Sequence, residues 1–355
     1  MSKKNWNRVI IVGLVFFVFL SFYQLPFYIT KPGGAHELSE IVEVTEGFEE
    51  KGSFYITTVR MGKANVYSYL AAKVIPYQKI YEEEDIRRPE ESDEAYSTRQ
   101  LYYMENSTLN AVVTAFEAAN KPYEVLYQGV YVLNVLPDFN VSKVLRPGDR
   151  ITEIENQAFS SSQELIQFVK SKKAGDTIKV TFTREEDSYE EIVTLQSLPD
   201  GSVGMGIELV DDKNLTSTPE VMWNTNSIGG PSAGLLFSLE IYNQLVPSDI
   251  TKGYEIAGTG TISQDGVVGR IGGIEQKIVA ADEAGADIFL APNDVLSTEV
   301  QEKYPDLESN YDAAVKTAKE IDTNMKIIPI KTFQEALEFL KTLEDKKEYS
   351  RKREH

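Results

Sequence analysis

Two stretches in the C-terminal half hold residue types that can do chemistry. The first runs Ser227-Ile228-Gly229-Gly230-Pro231-Ser232-Ala233-Gly234 into Leu235-Leu236-Phe237-Ser238-Leu239-Glu240-Ile241-Tyr242. Leu235, Leu239 and Tyr242 mark a helix face, two glycines permit a sharp turn, and proline suits the first helical position. Ser232 is therefore expected at or near a helix N-terminus, where free N–H groups and the dipole favour negative charge. An oxyanion developing beside a serine nucleophile needs that environment. The second stretch is Gly269-Arg270-Ile271-Gly272-Gly273-Ile274-Glu275-Gln276-Lys277-Ile278-Val279-Ala280-Ala281. Gly272-Gly273 opens a helix predicted to end near Gly285. Ile274, Ile278 and Ala281 form its apolar stripe, and Lys277 lies on that stripe, not on the wet side with Asp282. A lysine facing a core loses hydration, so its pKa falls, and the neutral amine can deprotonate a serine hydroxyl.

Each stretch alone has an ordinary reading. A Gly-Gly-Pro-Ser turn can cap a helix or hold a phosphate, and a lysine on an apolar stripe usually snorkels to water. Composition narrows the choice. There is no cysteine, and the two histidines are His36 and His355. Thiolate nucleophiles, a Ser-His-Asp triad and cysteine- or histidine-rich metal sites are set aside, and no metal or other cofactor is expected. Lysine is then the remaining plausible base for a serine. The net charge of −19 argues against nucleic-acid binding, which needs a basic face. Gly266, Gly269 and Gly272 do not have G-x-G-x-x-G spacing and no Walker A motif occurs, so no ATPase module is expected.

The elements that must position these residues can be read in outline. Length suggests about two domains, or three small ones. Lys3, Lys4 and Arg8 precede an uncharged run from Val9 to Thr30. As a helix that run would measure about 33 Å, enough for a hydrocarbon core of about 30 Å. Ser21-Phe22-Tyr23-Gln24 offers no small-x-small cleavage site, so the expectation is an uncleaved transmembrane anchor over 9–30. The basic tip 1–8 would then be cytoplasmic and the remainder outside. Residues 37–85 read as extended through Ile41-Val42-Glu43-Val44 and Phe54-Tyr55-Ile56-Thr57-Thr58-Val59. Residues 82–97 read as a solvated loop or helix. Leu109, Val112 and Phe116 place a helix over 99–120.

Residues 124–198 read as a compact unit. Strands are expected near Val130–Val135, at Ile151 and Ile154, and at Ile178, Val180 and Phe182. Pro147-Gly148 makes a turn, and Ser161-x-x-Glu164 is a capping box opening a helix. The unit resembles a bacterial-type PDZ domain through Tyr127-Gln128-Gly129-Val130, Leu145-Arg146-Pro147-Gly148-Asp149-Arg150-Ile151, and the helix and strand that follow. Asn156-Gln157 departs from the usual Asn-Gly turn. The resemblance implies a loop at Tyr127, Gln128, Gly129 and Val130 whose amides bind a peptide carboxylate, the peptide adding as a strand. A small α+β domain without a ligand is the plainer alternative.

The two chemical stretches together resemble the proteolytic domain of Lon proteases, a Ser-Lys dyad family. Ile288-Phe289-Leu290-Ala291-Pro292 and a terminal helix from Thr332-x-x-Glu335 extend the likeness across most of 203–343. The resemblance implies Ser232 as nucleophile and Lys277 as general base. It implies an oxyanion hole from the Ser232 amide and a Gly229-Gly230 loop amide, with Thr259 close to the dyad. Gly229 stands where an acidic residue is common, and Thr259-Gly260-Thr261 departs from a Thr-Gly-Glu pattern.

The layout as a whole is similar to membrane-anchored, PDZ-containing, Lon-like peptidases of bacteria. It implies an α+β chain: anchor, N-terminal region 31–123, PDZ domain 124–198, proteolytic domain 199–344 and polar tail 345–355. Such architectures admit a PDZ domain inserted within the protease fold, with 37–120 lending it strands. The implied activity is ATP-independent serine endopeptidase cleavage of peptides or exposed protein segments outside the cytoplasm, secreted or quorum-sensing signal peptides among them. A non-catalytic PDZ tether for peptides or envelope proteins, and a nucleotide- or phosphate-binding protein using the glycine loops, are the rival readings.

Overall fold

The computed structural model describes residues 3–89, 91–224, 229–305 and 307–346. Met1, Ser2, Ser227, Ile228 and the last nine residues of the tail, with His355, lie outside the described residues. The N-terminal third contains helix α1 (Lys3–Phe22), strands β1 (Gln24–Glu37), β2 (Val42–Val44) and β3 (Ser53–Asn65), helix α2 (Val66–Ala72), strand β4 (Lys79–Glu82), and helices α3 (Glu83–Ile86) and α4 (Asp93–Ala118).

The expected anchor over 9–30 is corrected here. The helix stops at Phe22, and Gln24 onward belongs to β1, where Tyr28, Ile29 and Thr30 pair with Lys63, Gly62 and Met61 of β3. Pro26 cannot donate to a helical ladder and sits readily in an extended segment. The uncharged part of the helix is then about 14 residues, about 21 Å long, short of a hydrocarbon core of about 30 Å. Among the described residues no helix is long and apolar enough to cross a membrane. The helix leans on α2, where the Phe17 ring lies 4.6 Å from Tyr67 and the Tyr67 hydroxyl donates to Phe17 O.

The middle of the chain forms a second body. It contains β5 (Tyr123–Val135), β6 (Arg150–Ile154), β7 (Gln157–Ala158), α5 (Ser162–Lys170), β8 (Thr177–Arg184), β9 (Asp187–Thr194), β10 (Gln196–Ser197), β11 (Val203–Gly204) and β12 (Ile207–Ser217). The main sheet order is β12-β5-β6-β8-β9, with β7 on β6. Alternating Ile178, Val180 and Phe182 point into a core with Val130, Val132, Leu165 and Val169. Asp149, at the end of the Pro147-Gly148 turn, accepts from the Arg146 amide and from two nitrogens of Arg184. The unit therefore continues past residue 198: β12 is its outermost strand.

The remainder contains β13 (Val221–Trp223), α6 (Gly234–Leu245), β14 (Glu255–Gly258), β15 (Thr261–Ile262), β16 (Val268–Gly269), α7 (Ile274–Glu283), β17 (Ile288–Pro292), α8 (Thr298–Lys303), α9 (Asn310–Glu320), β18 (Lys326–Ile330) and α10 (Phe333–Lys341). Its strands complete a sheet begun at residue 24, in the order β18-β17-β14-β3-β1-β4. Ser53–Ile56 of β3 run parallel to Glu255–Gly258 of β14. Residues 24–82 and 255–330 thus share one sheet, and the middle body is inserted between them.

The expected α+β class is corrected for this part of the chain. β14, β17 and β18 are parallel, joined by crossovers through α7 and α9, which is α/β construction. One face carries α4, α6 and α10 over Phe54, Ile56, Ile256 and Leu290; the other carries α7 and α9 over Ala257, Phe289 and Ala291.

The loop before β3 closes over a buried acid. Glu240 of α6 is 0% exposed and lies against Glu50. Burial raises both carboxyls from the ordinary value of 4.5, and each is raised further by neighbouring carboxylates. Glu240 Oε2 and Glu50 Oε1 are buried and have no hydrogen-bond partner among the described residues, a need that one shared proton meets. The folded state holds that proton where the unfolded chain has lost it, so the contribution is complete below pH 4.5 and is lost as pH rises through neutrality. Unfolding free energy of the wild type should fall between about pH 5 and 7, by up to about 1.4 kcal/mol per pH unit for one proton. Denaturant titrations of Glu240→Gln should show a flatter profile, and parallel profiles would refute the shared proton.

Candidate active site

Three elements converge on one point. Pro231-Ser232-Ala233 forms the turn before α6, whose first residue is Gly234 with Ala233 as N-cap. Proline therefore stands three residues ahead of the helix, not at its first position. Thr259 follows the end of β14. Lys277 sits in the first turn and a half of α7, which opens on left-handed Gly273 as the glycine pair predicts. Lys277 Nζ and Ser232 Oγ are hydrogen-bonded at 2.8 Å, and Lys277 Nζ lies 3.0 Å from Thr259 Oγ1. The Thr259 hydroxyl and the Gly260 amide both donate to Ser232 O, at 2.9 and 2.8 Å. Serine, lysine and threonine therefore form one hydrogen-bonded unit, fixed through the serine's own carbonyl.

Gly234 makes this approach possible. A Cβ there would meet Ile262 Cγ2 at 2.7 Å and Ser107 Oγ at 2.8 Å. Any larger residue would push α6 away from β15 and α4, and Ser232 with it.

Lys277 is 3% exposed, on the stripe with Ile274, Ile278 and Ala281. Burial pushes its pKa down to about 7. A substantial fraction of the amine is then neutral near pH 7 and can accept the serine proton.

The dyad opens on a cavity of about 450 Å³. Gly229, Gly230, Ser232 and Lys277 line it, with Ile56, Val59 and Met61 of β3, Tyr81 of β4, and Ile86 beside them. Lys277 is the charged side chain in that lining; the rest is apolar or neutral. β14 pairs with β3 only as far as Ile56. From Thr57 to Met61 the side of β3 turned to the cavity is not paired with β14. Thr259 is 1% exposed and bonded to both dyad residues, so it supports them from behind.

The expected carboxylate loop is placed differently. Tyr127, Gln128, Gly129 and Val130 lie inside β5, a 13-residue strand. Tyr127 pairs with Lys213, Gly129 with Asp212 and Val130 with Asp211, leaving Gln128 as a bulge. A Cβ on Gly129 would sit 2.6 Å from Ile151 O. Glycine is needed there because β6 passes close by, not because a ligand loop turns.

β12 and β9 are the two edges of the sheet; β12 lies beside α5, and the turn entering it is Gly204-Met205-Gly206. Gly206 has φ 81°, and a Cβ would collide with the Phe139 ring at 2.1 Å. The sequence signal for β12 was Gly-x-Gly followed by alternating Ile207 and Leu209, which the boundary at residue 198 had cut from the unit. Sequence reasoning also missed Ser107 and Gln100 of α4. Ser107 Oγ donates to Pro231 O at 3.1 Å, and Gln100 lines the dyad cavity.

Comparison with known proteins finds two domain families along the chain. Residues 107–195 match the PDZ domain family, and residues 225–340 match the Lon protease (S16) C-terminal proteolytic domain. The chain is 34% identical over 113 residues to Lon protease 2 of Bacillus subtilis (strain 168), covering 31% of this chain and 16% of that protein. It is 32% identical over 109 residues to Lon protease of Campylobacter concisus (strain 13826), covering 30% and 11%. It therefore spans less than a fifth of the length of either relative. A solved PDZ domain of an SdrC-like protein from Listeria monocytogenes is 42% identical, covering 24% of this chain and 93% of that one, with a TM-score of 0.24. The two domain matches and the Lon relatives support a PDZ-containing, Lon-like serine peptidase.

Proposed function

We propose that the protein is an ATP-independent serine endopeptidase in which Ser232 and Lys277 form the catalytic dyad. The observation that carries this is the 2.8 Å contact between a serine hydroxyl and a buried amine. Ser232 Oγ attacks the scissile carbonyl and its proton passes to neutral Lys277 Nζ. The resulting ammonium gives that proton to the leaving amine as the C–N bond breaks. Water, deprotonated by the same amine, then cleaves the acyl-serine ester and returns the serine. Backbone N–H groups at Gly229, Gly230 and Ser232 are assigned to the oxyanion. Thr259 keeps the amine aimed at the hydroxyl.

The apolar walls at Ile56, Val59, Met61, Tyr81 and Ile86 favour a substrate with an apolar side chain beside the scissile bond. The unpaired side of β3 suits an extended peptide. Flexible peptides and already exposed segments fit such a cavity as substrates. The resemblance to bacterial Lon-like peptidases makes secreted signal peptides the first to try. A peptide adding to the open edge of β12, its carboxylate at the Gly206 turn, would be held near Ser232 at high effective concentration.

Ser232→Ala and Lys277→Ala should each lower kcat by on the order of 10⁴, the double variant little further, because the pair acts as a unit. Lys277→Arg should also be inactive, since arginine stays charged. The wild-type kcat/KM should rise with pH through about 7, where the amine loses its proton. Normal turnover by either alanine variant would refute the dyad.

The β12 assignment is tested with long peptide substrates. Amidating the C-terminus should raise KM by about tenfold, equivalent to about 1.4 kcal/mol. Short peptides that cannot reach both sites should show no difference. Equal KM values for the acid and amide forms of long peptides would contradict it.

A further inference from the structure

Helix α4 touches both halves of the molecule, at the places where each is expected to work. Near its middle, the Tyr102 hydroxyl donates to Asp211 O of β12 at 3.1 Å, and the Tyr102 ring stacks on Tyr131 of β5 at 5.9 Å. Arg88, just before the helix, pairs with Glu208 of β12 and donates to the Tyr103 hydroxyl. Five residues on from Tyr102, about 8 Å along the axis, Ser107 is 2% exposed and donates to Pro231 O. The next turns carry Asn110, which donates to Ile262 O at 3.0 Å, and Thr114, which donates to Ser263 O at 3.3 Å. The same helix thus holds the turn before Ser232 and the segment after Thr259.

The carbonyl that Tyr102 holds belongs to the open edge. Val132 of β5 exchanges hydrogen bonds with the β6 side, donating to Asp149 O and accepting from the Gly148 amide. Backbone groups alternate along a strand, so Tyr131 turns its own toward β12, where it pairs with Val210. Asp211, the next residue, must direct its N–H and C=O away from β5. An added peptide strand would therefore compete with Tyr102 for Asp211 O.

We propose that α4 couples the two sites: occupancy of the β12 edge is transmitted through Tyr102 to Ser107, which is a positioning residue for the turn carrying Ser232. This rests on the dyad reading above. A rigid helix anchored at both ends transmits a displacement at Tyr102 to Pro231 O without any change in the dyad residues themselves. The chemistry recognised at the edge is that of an extended peptide backbone, so the ligand is a peptide and the response is a change in the rate of acylation.

The experiment uses the full chain and two readouts: labelling of Ser232 by a fluorescent fluorophosphonate, and turnover of a fluorogenic tetrapeptide too short to reach β12. Tyr102→Phe keeps the ring stack and removes the bond to Asp211 O. It should slow both labelling and kcat by about fivefold, the effect of one net hydrogen bond, with KM unchanged. Ser107→Ala should slow them by a similar factor, and the double variant should be no slower than the slower single variant within about twofold. Glu208→Gln, which releases the exposed end of the same contact, is the companion variant and should act in the same direction. Thermal unfolding of each variant separates a loosened turn from a lost fold. Wild-type rates in folded Tyr102→Phe and Glu208→Gln would overturn the coupling, and so would losses in the double variant that multiply. Wild-type protein that is not labelled at Ser232 would overturn the dyad reading, and the coupling with it.

Discussion

Lys277 Nζ sits inside the protein, bonded to two hydroxyl groups, and its pKa falls through burial alone. A charged ammonium in that position would forgo most of its hydration without an ion-pair partner, which costs several kcal/mol. Keeping the amine neutral is cheaper, and the surrounding architecture maintains the dryness that makes it so. The stripe of Ile274, Ile278 and Ala281 seals one side. Thr259 supplies a hydrogen bond that a neutral amine can use, where a carboxylate would restore the charge. The fold is organised to bring a hydroxyl to this amine.

That organisation is non-local. The serine turn precedes α6 on one face of the large sheet, and the lysine is on α7 on the other. They meet beyond the end of β14, where the strand stops pairing and Thr259 and Gly260 take hold of Ser232 O. Parallel strands joined by helical crossovers leave such a crevice at their C-terminal ends. β3, contributed from the far side of the PDZ insertion, forms its wall. The insertion therefore separates in sequence what the sheet unites, and α4 lies against both bodies. The acidic pair under α6 belongs to the same economy of buried charge: Glu240 and Glu50 meet their desolvation by retaining a proton, as Lys277 does by losing one.

Much of the site could be read from the residues because its signals are local. Gly272-Gly273 and the stripe through Ile278 placed Lys277 on a buried helix face, and Gly-Gly-Pro-Ser placed Ser232 at a turn. The caps at Ser161 and Thr332 fall where the capping patterns predict. The errors share a cause: they depended on partners distant in sequence. The run from Val9 to Thr30 is uniformly uncharged, so neither a helical nor a strand period marks the change at Gln24; pairing of Tyr28–Thr30 with β3 decides it. Gly129 looked like a loop glycine, but the need for it comes from Ile151 on another strand. That β12 lies at an edge follows from sheet order, which a linear pattern does not contain. Ser107 carries no motif at all; only the packing of α4 on α6 gives its hydroxyl a task.

The charge state of Lys277 is the point on which the mechanism turns, and it can be observed directly. Nitrogen-15 labelling of lysine side chains, with Lys277→Met to assign the resonance, allows the Nζ shift to be followed by NMR from pH 5 to 11. A Lys277 transition with a midpoint near 7, well apart from the other lysines, is the predicted result. A midpoint above 10 would mean that the amine is an ammonium at working pH, unable to take the Ser232 proton, and would contradict the account.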